Sequence, residues 1–223
     1  MRVLVTSQVG KKVLMAVSGQ LMTLFVIVHM LGNTTLFFGG LNAYAAKLHS
    51  LLLLVWTARL LMLTALVAHV VPGIQLYLEN RKAKPGSYAI RNSLRATFAS
   101  KNMVWTGMII GAFLIYHLLH FTFQFIHPEQ GASANIDPLG RPDVSRMVLF
   151  SFQSTAHALM YITALTALLL HLTHGIQSSF QSLGLNTDRS IPVIVRSGFV
   201  VAMVLFLGYI AVPLIILLGI LKG

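Results

Sequence analysis

The chain has 223 residues, 56% hydrophobic and 9% charged, with a mean hydropathy of +0.79, which lies outside the range of a water-soluble globular domain and marks an integral membrane protein. Sixteen Lys and Arg against five Asp and Glu give a net charge of +11, but these residues flank apolar stretches, so they call for anionic lipid and a docked partner, not nucleic acid. The absence of cysteine excludes disulfides and every thiolate-ligated redox centre.

Five apolar stretches reach the ~20 helical residues needed to cross a hydrocarbon core, at roughly 13–32, 51–78, 103–126, 148–178 and 193–220. Backbone polar groups in lipid must be satisfied within their own segment. The predicted fold class is therefore an all-α membrane protein of five transmembrane helices, one domain over residues 1–223. The first stretch, "GKKVLMAVSGQLMTLFVIVHMLGN", has the basic front of a signal peptide, but its length and lack of an A-x-A-like site favour a retained span. It carries His29. The second holds the frame "HVVPGI", with His69, Pro72 and Gly73, and Pro85-Gly86 beyond it reads as a turn. The third carries His117 and His120, and Pro138-Leu139-Gly140 is the turn that follows. The fourth repeats the frame as "HLTHGI", with His171, His174 and Gly175. The fifth contains no titratable group besides Arg196 and Tyr209 and reads as packing. Apart from the two histidine frames, the sequence reads as free of repeats and low-complexity tracts.

Eleven of the sixteen basic residues fall before the first span, between the second and third, or between the fourth span and the first turn of the fifth, where Arg196 lies. By the positive-inside rule, the N-terminus is cytoplasmic and the C-terminus outside. No segment between spans is longer than about thirty residues, too short for a soluble catalytic domain. All five acids lie in loops or at span ends. A proton pump or ion-coupled transporter usually keeps an intramembrane carboxylate, so their placement favours electron transfer over transport.

The histidines sort by depth. At ~1.5 Å per residue, His29 lies about 25 Å past Lys12 and His117 about 24 Å past Lys101, while His69 and His171 each lie about 15 Å before Glu79 and Gln181. This makes two levels roughly 10 Å apart, each served by two helices. A six-coordinate haem iron needs that arrangement, one imidazole from each side of the porphyrin. The pairs are His69 with His171, nearer the cytoplasm, and His29 with His117, distal. Gly73 and Gly175 follow their histidines by one turn, on the same helix face, and would leave a notch for a porphyrin edge. His120 and His174 are alternative ligands or hydrogen-bond partners of a propionate or quinone. His49 and His157 read as interfacial, and the methionines as packing.

These residues resemble one family, the single-chain, five-helix, diheme cytochrome b membrane anchor of succinate dehydrogenases and fumarate reductases. The resemblance runs from the first span through "HVVPGIQLYLENRKAKPGSY" and "TGMIIGAFLIYHLLHF" to "HLTHGIQSSFQSLGLN". It implies haem ligation by His29, His69, His117 and His171. His117 is favoured over His120 by its spacing of ten from Gly107, and His171 over His174 by its spacing of thirteen to Gly184. It further implies two haem b groups, a quinone substrate expected to be menaquinone, and a bacterial inner (cytoplasmic) membrane. A flavoprotein subunit and an iron–sulfur subunit would dock on the cytoplasmic face, leaving this chain as the non-catalytic, electron-transferring and quinone-reactive part of a succinate:quinone oxidoreductase. Lys11, Lys12 and Ser18 resemble family positions near the proximal haem and the partner, and Asn33 is a candidate quinone contact. Some relatives have a glutamate two positions before the fourth ligand, tied to proton movement; here Leu169 stands there. The rival readings are a diheme b anchor of formate dehydrogenase or nitrate reductase type, and a transporter whose histidines bind metal or relay protons.

Overall fold

The computed structural model describes residues 6–83 and 97–221. Five helices are long and apolar enough to cross a membrane: α1 (Gln8–Thr34), α3 (Leu52–Ala83), α5 (Met103–His117, continued by a π-turn over Leu118–Thr122), α7 (Thr155–Ser182) and α8 (Ile191–Leu217). Three shorter helices, α2 (Leu41–Ser50), α4 (Phe98–Lys101) and α6 (Val144–Gln153), lie between them. The outer faces stay apolar: on α3, Leu53 is 84% exposed, Leu60 61% and Leu63 58%. A contiguous surface of that kind is stable against lipid tails, not water. The predicted turn at Pro85-Gly86 falls outside the described residues.

α7 is the central helix, packed against α1, α5 and α8, while α1 also packs against α3. Small residues set the close approaches. Gly198 of α8 sits where a Cβ would come within 3.2 Å of the Ile176 side chain, and Gly208 lies directly against Met30 of α1. Packing of this kind drives helix association in lipid, where the hydrophobic effect between helices is absent. Polar ties add register. Lys11 of α1, itself buried, pairs with Glu79 near the end of α3. Gln20 of α1 bonds Ser179 of α7, and the Tyr209 hydroxyl of α8 donates to the Val26 carbonyl of α1 at 2.7 Å.

At the end away from the N-terminus, α2, α6 and the 123–143 segment form a cap over the bundle. Its apolar core joins Leu36, Leu41, Leu149 and Phe152 to Tyr161 of α7 and Val212 of α8. Asn42 of α2 donates to Asp143 at 2.9 Å and accepts from the Ser145 N–H at 2.8 Å. Asp137 accepts from the N–H groups of Leu139 and Arg141, both at 2.9 Å, and from the Arg141 guanidinium at 2.7–2.8 Å. Those bonds, the Arg141 side chain first, hold the Asp137 carboxyl below its ordinary range.

Two predicted stretches differ from the observed helices. The apolar run 148–178 is divided at Ser154, which is extended (φ −76°, ψ 116°) and separates α6 from α7. Residues 148–153 are apolar because α6 buries Met147, Val148, Leu149 and Phe152 in the cap, and hydropathy does not distinguish that burial from a lipid span. The run 103–126 ends early: the Phe123 N–H bonds the Leu118 carbonyl at 2.8 Å, five residues back, and Gln124 then takes a positive φ of 54°.

Candidate functional site

One imidazole from each of α1, α3, α5 and α7 points into the bundle, and the four meet in two pairs. His69 of α3 and His171 of α7 have ring centroids 6.2 Å apart; His29 of α1 and His117 of α5 have theirs 6.0 Å apart. The partners are those expected from depth alone. His69 lies against Gly19 and His171 against Gly107, and each glycine precedes the other pair's histidine on its helix by ten residues. The two levels are thus about 15 Å apart along the helices, somewhat more than the roughly 10 Å counted from polar markers.

The ring orientations are fixed from behind. His69 Nδ1–H donates to the Met15 carbonyl at 3.0 Å, and a carbonyl only accepts, so Nε2 keeps its lone pair. Thr106 Oγ1 donates its proton along its own helix, to the Asn102 or Met103 carbonyl at 3.1 Å, so its oxygen is free to accept from His171 Nδ1–H at 3.2 Å. His117 Nδ1 faces the Tyr161 hydroxyl at 3.4 Å. His29 stacks on Phe25 at 5.6 Å and packs against Tyr209 of α8 at 6.2 Å. An imidazole whose far nitrogen is bonded in this way has its tautomer and its aim fixed, which is the usual support of a metal ligand.

The glycines that touch the imidazole rings are Gly19 and Gly107, whereas Gly73 and Gly175, expected as a notch for a porphyrin edge, touch neither. A Cβ on Gly73 would make ordinary contact with Met15 Cε at 3.7 Å, and one on Gly175 would meet nothing within 4 Å. By contrast, a Cβ on Gly19 would lie 3.2 Å from His69 Cε1 and 3.3 Å from Nδ1, and one on Gly107 would lie 3.6 Å from His171 Cε1. These positions belong to a second repeat. "MAVSG" at 15–19 and "MVWTG" at 103–107 share the form Met-x-x-(Ser/Thr)-Gly, and each stands ten residues before His29 or His117. Together with "HVVPGIQ" and "HLTHGIQ", they make the α1–α3 and α5–α7 hairpins counterparts. Each hairpin seats its own second-helix imidazole against its own first-helix glycine. The signal is legible in the sequence once Gly19 and Gly107 are aligned.

The alternative ligands are not placed to serve. His120 is 3% exposed on the π-turn, with Nε2 on Ser151 at 3.2 Å and Nδ1 on Tyr161 at 3.4 Å, so both nitrogens are engaged. The ring facing His69 is that of His171, not His174. His157 lies against His120 and His127, and His49 is exposed on α2. Asn33, the candidate quinone contact, turns its amide back to the His29 carbonyl at 2.9 Å.

The pairs suit a metal carried in a macrocycle. Imidazole nitrogen binds a metal at ~2.0–2.1 Å, which puts the ring centre about 3 Å away, so two imidazoles on opposite sides of one metal stand roughly 6 Å apart. Both observed separations agree with that figure. Among the described residues, no group of three or more His, Asp or Glu is placed to hold a bare ion.

Compared with protein-family models, with curated proteins and with solved structures, the chain matches none.

Proposed function

We propose that the chain is the diheme cytochrome b anchor of a succinate:quinone oxidoreductase, with one b haem held by His69 and His171 and the other by His29 and His117. The observation that carries the reading is the meeting of four intramembrane imidazoles, from four helices, in two pairs at the spacing of axial ligands. A haem so held supplies a one-electron carrier. The chain's own part is to fix the imidazoles: the Met15 carbonyl and the Thr106 hydroxyl hold two of them by Nδ1, and Tyr209 and Phe25 flank a third. Residues 69 and 171 stand toward the N-terminal, basic face, which by the positive-inside rule is cytoplasmic. A flavoprotein and an iron–sulfur subunit would dock there, and electrons would pass between the levels to or from menaquinone within the bacterial cytoplasmic membrane.

The chain expressed with ample haem is expected to be red, with low-spin b-type absorbance and two haems by pyridine haemochrome assay. His69→Ala and His171→Ala should each lose the same haem, and His29→Ala and His117→Ala the other. A colourless wild type, or loss of one and the same haem by His69→Ala and His117→Ala, overturns the assignment. Copurifying subunits distinguish a succinate-linked complex from a formate- or nitrate-linked one.

A further inference from the structure

α7 and α8 enclose a cavity that lies apart from both histidine pairs. The two helices touch where Gly198 admits the Ile176 side chain, and between that contact and the loop that joins them is a space of about 410 Å³. Gln177 and Gln181 of α7, Asn186 of the loop, and Ile191 and Ile194 of α8 line it. Gln181 and Ile191 are exposed and form its mouth, while Gln177, Asn186 and Ile194 are half-buried and form its wall. Gln177 follows His171 by six residues, so the wall begins ~9 Å from that imidazole along the helix, toward the N-terminal, basic face. The loop is braced from within. The Gly184 N–H bonds the Gln181 carbonyl at 3.1 Å and the Leu185 N–H bonds the Phe180 carbonyl at 3.0 Å. The Thr187 N–H donates to Ser190 Oγ at 2.7 Å, and the Ser190 N–H donates to Thr187 Oγ1 at 3.2 Å.

The chemistry of the lining narrows what it can hold. Among the described residues, the side chains of Gln177, Gln181 and Asn186 have no hydrogen-bond partner, whereas Gln20 and Asn33 of α1 are bonded to Ser179 and to the His29 carbonyl. The volume lies within the ~300–1,000 Å³ of small-molecule sites, which likewise join an apolar wall to a few convergent polar groups. Among the described residues, no lining group is charged, so an anionic head group would be held there without a counter-charge, at a cost in free energy. A carboxamide both donates and accepts. Three of them can therefore serve a neutral ligand whose oxygens only accept in one state and also donate in another. The two isoleucines offer apolar surface to a ring.

We propose that this cavity binds the head group of a quinone, with the carboxamides of Gln177, Gln181 and Asn186 bonding its ring oxygens and Ile191 and Ile194 packing on the ring. The proposal rests on the haem reading above and gives its quinone a place at the basic end of α7, instead of beside Asn33, whose amide is already bonded. The same carboxamides donate to the quinone oxygens and accept from the hydroxyls of the quinol. A head group held there meets water at the mouth, on the N-terminal side of the bundle.

The test uses the purified, haem-loaded chain in detergent, with menadione as the probe in equilibrium dialysis and an azido derivative of menadione for photolabelling read by mass spectrometry. The label should attach within residues 177–194. Gln177→Leu together with Gln181→Leu should weaken menadione binding by roughly tenfold, the scale of two net hydrogen bonds, with haem content unchanged. Ile194→Trp, which places an indole in the cavity, should also weaken it and serves if the double variant misfolds. Gln75→Leu alters the counterpart of Gln177 in the "HVVPGIQ" frame, outside the cavity, and should bind as wild type. Label at another place, or wild-type affinity in both cavity variants, overturns the site alone. Loss of copurified phospholipid from the double variant with menadione binding intact assigns the cavity to lipid and overturns the quinone. A wild-type chain without haem overturns the haem reading and the proposal with it.

Discussion

Adding one methyl group at Gly19 probes the seat of His69 directly. The new Cβ would stand 3.2 Å from His69 Cε1 and 3.3 Å from Nδ1, tighter than van der Waals contact, so the ring must retreat by a few tenths of an ångström. Its 3.0 Å bond to the Met15 carbonyl lies in the same direction and lengthens or breaks. Helix propensity favours alanine by ~0.8–1.0 kcal/mol, while overpacking costs ~1–3 kcal/mol and the bond contributes ~0.5–1.5 kcal/mol. Unfavourable effects at the ring therefore outweigh the helix gain. Loss of such a supporting bond typically lowers metal affinity by ~10–100-fold. Gly107→Ala is the matched control, since its Cβ would lie an ordinary 3.6 Å from His171 Cε1. Haem content and redox titration of the two variants should show the His69–His171 haem weakened in Gly19→Ala and close to wild type in Gly107→Ala. Equal behaviour of the two, or an effect at the His29–His117 level, would refute the reasoning.

Thr106→Val keeps the shape of the side chain but removes the oxygen that accepts from His171 Nδ1–H; it should weaken the same haem by ~10–100-fold and leave the other unchanged, as read by haem retention on dilution. Asp137→Asn tests the cap. The Asp137 carboxyl is held below its ordinary range in the folded chain, so it contributes stability above the unfolded value of ~3.9, and that contribution is lost as pH falls through the lower folded value. Thermal unfolding in detergent should show a wild-type decline on the acid side of about pH 4 that is reduced in Asp137→Asn.

Much of this arrangement was open to a reader of the sequence. The five spans follow from apolar runs long enough to cross a bilayer, and the histidine partners follow from distance to the polar ends, because a helix converts residue number into height with little freedom. The same reasoning leaves open what height does not determine. His120 and His174 are at suitable depths, and only azimuth separates them from His117 and His171: the π-turn directs His120 to Ser151 and Tyr161. Gly73 and Gly175 follow the ligands on one helix, where a notch for a porphyrin edge was expected, and the glycines that touch the imidazoles, Gly19 and Gly107, do so across helices. The run 148–178 hid a break at Ser154, since a helix buried in a cap and a helix buried in lipid are equally apolar.

The sequence alone therefore determined the number of spans, the class of the protein and the two levels of imidazole, all of which depend on quantities that accumulate along one chain segment: hydrophobicity, charge and helical rise. The tertiary structure decided which rings face one another, which backbone carbonyl or hydroxyl stands behind each, and that Gln177, Gln181 and Asn186 converge on one cavity. These depend on how helices rotate and lean against each other, which is settled by side-chain packing between segments far apart in the chain.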